Sequence, residues 1–414
     1  MDTGLAPRPS HVPENLVVDF DVWAPPGAEI DFHAAWETLR RPGTPDLVWT
    51  PRNGGHWIAT RLKPMAEAFE DYKRFSSRVL IVPKEIGEKF DWIPTTVDPP
   101  QHRPFRVLLN SSFAPKTINT YEHQIRDLVV ELIESFRAKG QCDFQAEFAD
   151  QLPIRLFMHL LELPSEDARQ IKHWSDQVTR LEGTLTMEEM TEKFFSYLSP
   201  VYDARVGKDG TDILSRLMNG QIGDRKITKL EALSLCTQVV QAGLDTVVNM
   251  LGFAIVFLAR NAGHRAQLIA DPSLIPAAVD EIFRRYPIVM NGREIVQDTE
   301  LAGIKLKAGE VLVMPTPLSG TDDRENADPL TVDFQRDHRA SLTFGGGSHR
   351  CPGAPLARLE LQVTLEEWMK RIPEFQIAPG ARLKYKPGVT PVVDAIPLVW
   401  DVAATETALR PNRT

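Results

Sequence analysis

A chain of 414 residues with 43% apolar and 25% charged residues can bury a sizeable core, and it exceeds the usual limit for one simple core. It therefore forms either two domains or one large many-helix domain. A formal net charge of −9 argues against a general nucleic-acid binder. Cys142, Cys236 and Cys351 are an odd number at wide spacing with no C-x-x-C, which argues against a secreted disulfide framework, a zinc ribbon and a thioredoxin-like redox site.

The N-terminus, MDTGLAPRPSHVPENL, lacks the basic-then-apolar order of a signal peptide and reads as a Pro-rich arm, flexible over residues 1–15. In DLVWTPRNGGHWIATR (46–61) the Asn53-Gly54-Gly55 turn between two apolar runs predicts a hairpin. DPPQHRPFR (98–106) opens a helix after two prolines, and its His102 and Arg106, four apart, share a helix face. Residues 117–140 carry Ile125, Leu128, Val129, Leu132, Ile133 and Phe136 as an amphipathic stripe that stops at Gly140. Residues 165–183 and 187–207 read as helices in the same way. LEALSLCTQVVQAGLDTVVNMLGFAIVFLARN (230–261) predicts a helix roughly 45 Å long. Gly243, Asp245 and Thr246 interrupt its apolar face, and the Thr246 hydroxyl is placed to bond back to the Ala242 carbonyl. The densest apolar run, GFAIVFLA (252–259), is far short of the roughly 20 residues that cross a bilayer, so no membrane span is expected. In AAVDEIFRRYP, Glu281 and Arg284 are three apart on one face and can pair. LAGIKLKAGEVLVMP (301–315) predicts a second hairpin around Ala308-Gly309, and residues 383–400 predict a third strand pair. With no internal repeat and no evident linker, the reading is a single domain over 1–414, mainly α with a small β portion.

The segment TFGGGSHRCPG (343–353) precedes APLARLELQVTLEEWMKRI, whose Leu361, Leu365, Trp368 and Ile372 fall on one helical face. Cys351 thus stands at a helix N-terminus, where free N–H groups and the dipole favour a thiolate. The glycines at 345, 346, 347 and 353 permit turns that other residues resist and leave room for something flat and bulky, and His349 and Arg350 offer cations to an anionic group. Phe344, Gly347, Cys351 and Gly353 form F-x-x-G-x-x-x-C-x-G, which resembles the haem-binding loop of the cytochrome P450 superfamily. The resemblance implies haem b held between a long distal helix and the cysteine-loop helix, with the Cys351 thiolate on iron. AGLDT (242–246) resembles that family's oxygen-activating stretch. By that resemblance Gly243, Asp245 and Thr246 are catalytic, with Thr246 ordering the proton-carrying water and Asp245 gating protons. Glu281 and Arg284 resemble its E-x-x-R motif, with Arg336 of VDFQR as third partner. His102 and Arg106 resemble its H-x-x-x-R propionate clamp, joined by Arg293 and His349.

FDWIPTTVDPPQHRPFR, AGLDTVVNMLGFAIVFLAR, the cysteine loop and AIPLVWD resemble the bacterial camphor-hydroxylase group. That implies Lys172 and Arg180 as partners of Asp245, a cytoplasmic monooxygenase with no membrane or nucleic-acid partner, dioxygen, and electrons from a [2Fe–2S] ferredoxin and its NADH-dependent reductase. Lys73, Arg74, Arg103 and Arg106 are candidates for the ferredoxin-docking face. The chain departs from the group at Phe90, where camphor hydroxylases carry a tyrosine that bonds the substrate ketone. A phenyl ring cannot donate that bond, whose loss costs on the order of 1 kcal/mol. Ile81, Trp92, Thr95, Gln238, Gln241, Val289 and Val389 stand at the group's other pocket positions. The two glutamines replace aliphatic residues; they either offer an amide to a substrate oxygen or satisfy neighbouring backbone. A mostly apolar pocket with one or two polar groups suits a small terpenoid or norisoprenoid such as an ionone. Alternatives are a camphor-type monoterpenoid hydroxylase and a non-catalytic haem- or ligand-binding protein of the same fold. The intact Asp245-Thr246 pair favours oxygenase over peroxide-driven chemistry.

Overall fold

The computed structural model describes residues 4–89, 92–179, 184–210 and 212–408. The element that organises it is the helix Lys229–Arg260, 32 residues long. Thr228 starts it with a capping box: its side chain accepts from the Glu231 N–H, and Glu231 reaches back to the Thr228 N–H. Asp245 is the only charge between Glu231 and Arg260. By length and composition the helix is apolar enough to cross a membrane, more so than the run 252–259 alone suggests, yet 83% of its most apolar window is buried in the protein. Helices Leu152–Leu160, Ala168–Thr179, Met187–Arg205 and Ile213–Met218 pack around it. A helix apolar on every side is what such a central position requires.

Across the molecule, helix Glu122–Arg137 packs on helix Ala354–Arg371. The predicted stripe of the first is buried except for Leu128, which is half-buried. Residues 115–121 form short turns of their own rather than extending it. On the second, Leu361, Leu365 and Trp368 are buried, as is Ile372 just beyond its end. Trp368 is surrounded by the rings of Phe136, Phe144, Phe148, Phe375 and Trp400. Arg126 clamps the pair at 2.6 Å from both Glu366 and Glu367.

The β portion centres on one five-stranded sheet in the order Leu47–Thr50, His56–Ala59, Val311–Pro315, Met290–Ile295, Phe75–Ser76. The first two strands are the hairpin expected at 46–61, turning through Asn53, Gly54 and Gly55, all at positive φ. The hairpin expected around Ala308-Gly309 forms one turn earlier. Thr299–Leu301 pairs with Ile304–Leu306 across Ala302-Gly303, both at positive φ. Gly309 instead redirects the chain into Val311–Pro315, which lies antiparallel to Met290–Ile295 and parallel to His56–Ala59. Every residue of Val311–Pro315 is buried, and a fully buried strand gains more between two sheet neighbours than in an exposed hairpin. At 383–400, Tyr385–Lys386 pairs with Val392–Val393, and Pro397–Val399 joins Gln376–Ile377 and Gln141–Asp143 instead.

Candidate functional site

The cysteine loop runs from the sheet side to the start of helix Ala354–Arg371. The Cys351 N–H donates to the Phe344 carbonyl at 2.8 Å, closing the loop on itself. Gly347 has φ +59°, and a β-carbon there would lie 2.2 Å from the Phe69 carbonyl oxygen, so both its backbone and its surroundings require glycine. Phe344 packs on Phe283 at 4.9 Å and lies under the Arg358 guanidinium. Cys142 and Cys236 are buried, whereas Cys351 keeps accessible surface. That surface lies deep within the protein, because burial still pushes the Cys351 thiol up from its ordinary value. The N–H groups of Gly353 and Ala354 and the cations Arg106 and Arg358 pull the other way without overcoming it. The thiolate expected from the helix N-terminus alone is thus outweighed by desolvation in the protein by itself. A β-carbon on Gly353 would sit 3.7 Å from the Cys351 sulfur, an ordinary contact, so what Gly353 contributes at the sulfur is its N–H.

Halfway along Lys229–Arg260, where neighbours are buried, Ala242 is exposed and Gln238, Gly243 and Thr246 are half-buried. Gln238, Ala242 and Thr246 are spaced by four and share one face, so that face looks into open space inside the molecule. The Thr246 hydroxyl donates to the Ala242 carbonyl at 2.9 Å. Gly243 has a packing reason: a β-carbon there would lie 1.9 Å from the Phe157 ring. Asp245 points elsewhere, buried, with its Oδ1 at 3.2 Å from Lys172 Nζ. Lys172 also binds Asp176 at 2.6 Å; burial lowers its pKa, but the carboxylates outweigh this and raise it, so the ammonium stays charged. Arg180 and Phe90 lie outside the described residues.

A third group joins two arginines to two imidazoles. His102 and Arg106 project from helix His102–Ser112, Arg293 from strand Met290–Ile295 and His349 from the cysteine loop. The two imidazoles lie 4.1 Å apart. Arg106 donates to the Arg350 carbonyl, and Arg293 to that of Gly292 at 2.8 Å with its guanidinium over the Phe69 ring. No carboxylate among the described residues hydrogen-bonds any of the four. Both ring nitrogens of His102, Nε2 of His349 and Nε of Arg106 are buried without a partner. Burial first, and the neighbouring arginines next, push His102 down to about 4 and His349 down to about 2. Burial also lowers Arg293 to about 10. Such a cluster calls for an anion.

Behind the loop, Arg284 grips Glu281 with two bonds of 2.7 and 2.8 Å. Arg336 Nε reaches the same carboxylate at 3.0 Å, and the Asp333 N–H donates to it at 3.0 Å. Burial raises the Glu281 carboxyl, but these donors outweigh it and hold it below the usual range. Arg284 also donates to the carbonyls of Gly320, Pro329 and Thr331, and Thr343 Oγ1 donates to the Phe283 carbonyl. Helix Ile275–Arg285 is thereby fixed to the segment that leads into the cysteine loop.

A family model described as cytochrome P450 matches residues 144–381. The chain belongs to the cytochrome P450 family. It is 30% identical over 384 residues to a probable cytochrome P450 127A1 of Sinorhizobium fredii, covering 90% of this chain and 92% of that one. Among solved structures it resembles CYP101J2, with a TM-score of 0.89 and 46% identity over 96% of this chain and all of that one. It also resembles CYP101C1, with a TM-score of 0.89 and 37% identity over 95% of this chain and all of that one. This P450 is a monooxygenase, and its cofactor is haem b with cysteine thiolate ligation.

The residues present fit that cofactor. Cys351 is the cysteine with open surface, the Gln238–Ala242–Thr246 face offers an internal wall, and two arginines with two neutral imidazoles leave buried nitrogens unmet, a demand that two propionates would supply. Of the proposed pocket positions, Ile81, Trp92, Thr95, Gln238, Val289 and Val389 are half-buried, whereas Gln241 is buried and its amide nitrogen donates to Met190 Sδ at 2.6 Å. The 92–96 segment is tied to the long helix by the Ile93 N–H, which donates to Ser234 Oγ at 3.2 Å. Sequence reasoning passed over two polar residues of this P450. Asn249 and Glu360 are fully buried with no hydrogen-bond partner for the amide or for either carboxylate oxygen. The available signal was a polar side chain inside an apolar stripe, as in Leu359-Glu360-Leu361.

Proposed function

We propose that this P450 hydroxylates a small apolar terpenoid or norisoprenoid of ionone type in the cytoplasm, using electrons from a [2Fe–2S] ferredoxin and its NADH-dependent reductase. The observation that carries the reading is the pocket wall. At the positions the resemblance gives to the pocket, apolar Ile81, Trp92, Val289 and Val389 are half-buried, and so are the two polar residues Thr95 and Gln238. The sequence's resemblance to the camphor-hydroxylase group, together with its similarity to CYP101J2 and CYP101C1, supports a ligand of that size. Phenylalanine at position 90 argues against camphor itself.

When bound, haem supplies the dioxygen activation that places one oxygen atom in a C–H bond. Cys351 would hold its iron, and His102, Arg106, Arg293 and His349 its propionates. Thr246 Oγ1, by exchanging the Ala242 carbonyl for a water, holds a proton donor on the open face of the helix. Asp245, buried against Lys172, passes protons from the outer side of that helix by releasing the lysine. Of the four docking candidates, Lys73 and Arg103 are exposed and free to meet an acidic ferredoxin. Arg74 is held by Glu67 and Asp71, each at 2.6 Å, and Arg106 turns inward to the Arg350 carbonyl.

The test is a visible-spectrum titration of the ferric protein with camphor and with an ionone. Displacement of iron-bound water by a seated ligand converts low-spin to high-spin iron. The expected result is a large shift with ionone and a small one with camphor. A large camphor shift would replace this reading with a camphor-type monoterpenoid hydroxylase, and no shift with either would remove the substrate class.

A further inference from the structure

We propose that Gln238 donates a hydrogen bond to a single acceptor oxygen, a ketone or an ether, on an otherwise hydrocarbon substrate. The inference rests on the terpenoid reading above and adds which wall of the pocket reads the oxygen. Three observations carry it. Gln238 shares the open face of the long helix with Ala242 and Thr246, while Val239, Val240, Gln241 and Leu244 are buried. Its carbonyl oxygen is enclosed without a partner, whereas its amide nitrogen is not enclosed, so the donor end of the side chain is the one that meets open space. The second glutamine is already engaged: Gln241 is buried and donates to Met190 on helix Met187–Arg205. Of the other half-buried positions that the resemblance gives to the pocket, Ile81, Val289 and Val389 have no side-chain donor, which leaves the Trp92 ring and the Thr95 hydroxyl as the alternatives to Gln238.

Gln238 and Thr246 are two turns apart, about 12 Å along the helix axis. A ligand whose oxygen meets Gln238 therefore presents the opposite end of its skeleton towards Thr246, and oxidation falls on carbon remote from the existing oxygen. A ketone held by a tyrosine at position 90 would be gripped from the segment before the His102 helix. Here the grip moves to the long helix itself, which reorients the ligand.

The experiment measures dissociation constants by the ferric spin-state shift for β-ionone and for the hydrocarbon of the same skeleton without oxygen. The proteins are the haem-loaded wild type, Gln238→Leu, Gln238→Met and Gln241→Leu, with the haem band and melting temperature as controls for folding. Wild type should prefer the ketone. Both Gln238 variants should weaken ionone about tenfold and leave the hydrocarbon within about twofold. Gln241→Leu should shift both ligands by a common factor. Equal weakening of both ligands in the Gln238 variants, or undiminished ionone binding, overturns the proposal. Tight hydrocarbon binding by wild type with no preference for ionone overturns it while leaving the terpenoid reading intact. No shift with either ligand overturns both.

Discussion

Glu360 lies nine residues beyond Cys351 with no partner for either carboxylate oxygen, and burial pushes its carboxyl up to about 8 from an ordinary 4.5. The folded protein therefore holds a proton that the unfolded chain releases near 4.5. Between those values the folded state binds more protons, and stability falls as pH rises, by about 1.4 kcal/mol per pH unit. His102 and His349, held down to about 4 and about 2, act with the opposite sign, but only below their ordinary 6.5. His33 and His56, each pushed down to about 3 by burial, add to that opposing contribution, but it is common to wild type and Glu360→Gln, so the Glu360 slope is read from the difference between their denaturant melts at pH 6 to 8. Glu360→Gln should abolish most of that slope and leave the protein the more stable of the two at pH 8; an unchanged slope would mean that the carboxyl is already ionised. The residue was not legible in the sequence because a glutamate between leucines looks like the polar edge of an amphipathic helix. Only the packing of helix Ala354–Arg371 inside the fold closes that edge.

For elements, the long helix and helix Leu152–Leu160 meet through Gly243 and the Phe157 ring. Gly243→Ala gains helix propensity worth about 1 kcal/mol. It also drives a β-carbon into a ring 1.9 Å away, and such overpacking costs typically about 1 to 3 kcal/mol. The net expectation is a loss of up to about 2 kcal/mol by thermal or denaturant unfolding. In the Phe157→Leu background, where the ring is gone, Gly243→Ala should be neutral or stabilising. Additive losses would mean that the glycine answers to something other than Phe157. Sequence showed a glycine interrupting an apolar helix and, by resemblance, gave it a catalytic reading. The contact that supplies the packing reason comes from a segment 86 positions earlier, which no local pattern exposes.

For the whole molecule, one cluster draws Arg106 and Arg293 and the neutral imidazoles of His102 and His349 from a helix, a strand and a loop into one place, with no carboxylate among the described residues bonded to them. Removing haem should leave these groups uncompensated and lower the melting temperature by well over the effect of a typical point mutation. Arg293→Met sharpens the point, because its sign depends on the cofactor. In the apoprotein, replacing a buried, poorly bonded guanidinium by an apolar side chain should be neutral or stabilising. In the holoprotein it should speed haem loss to a scavenging apoprotein by about tenfold. Destabilisation of both forms alike would make Arg293 a structural residue of its strand rather than a cofactor contact.

The sequence by itself determined what depends on short spacing. The F-x-x-G-x-x-x-C-x-G loop, the AGLDT stretch, the Glu281–Arg284 pair and the first hairpin are set by neighbours within about ten residues, and each forms where the pattern places it. The tertiary structure decided what depends on burial and distant partners. It moved the second hairpin to Ala302-Gly303 because Val311–Pro315 finds better partners in the central sheet. It separated Gln238 from Gln241, which look equivalent in the chain, by setting Met190 against only one of them. It raised the Cys351 thiol despite its helix N-terminus, because desolvation scales with all the protein packed around a group and not with the residues beside it in sequence.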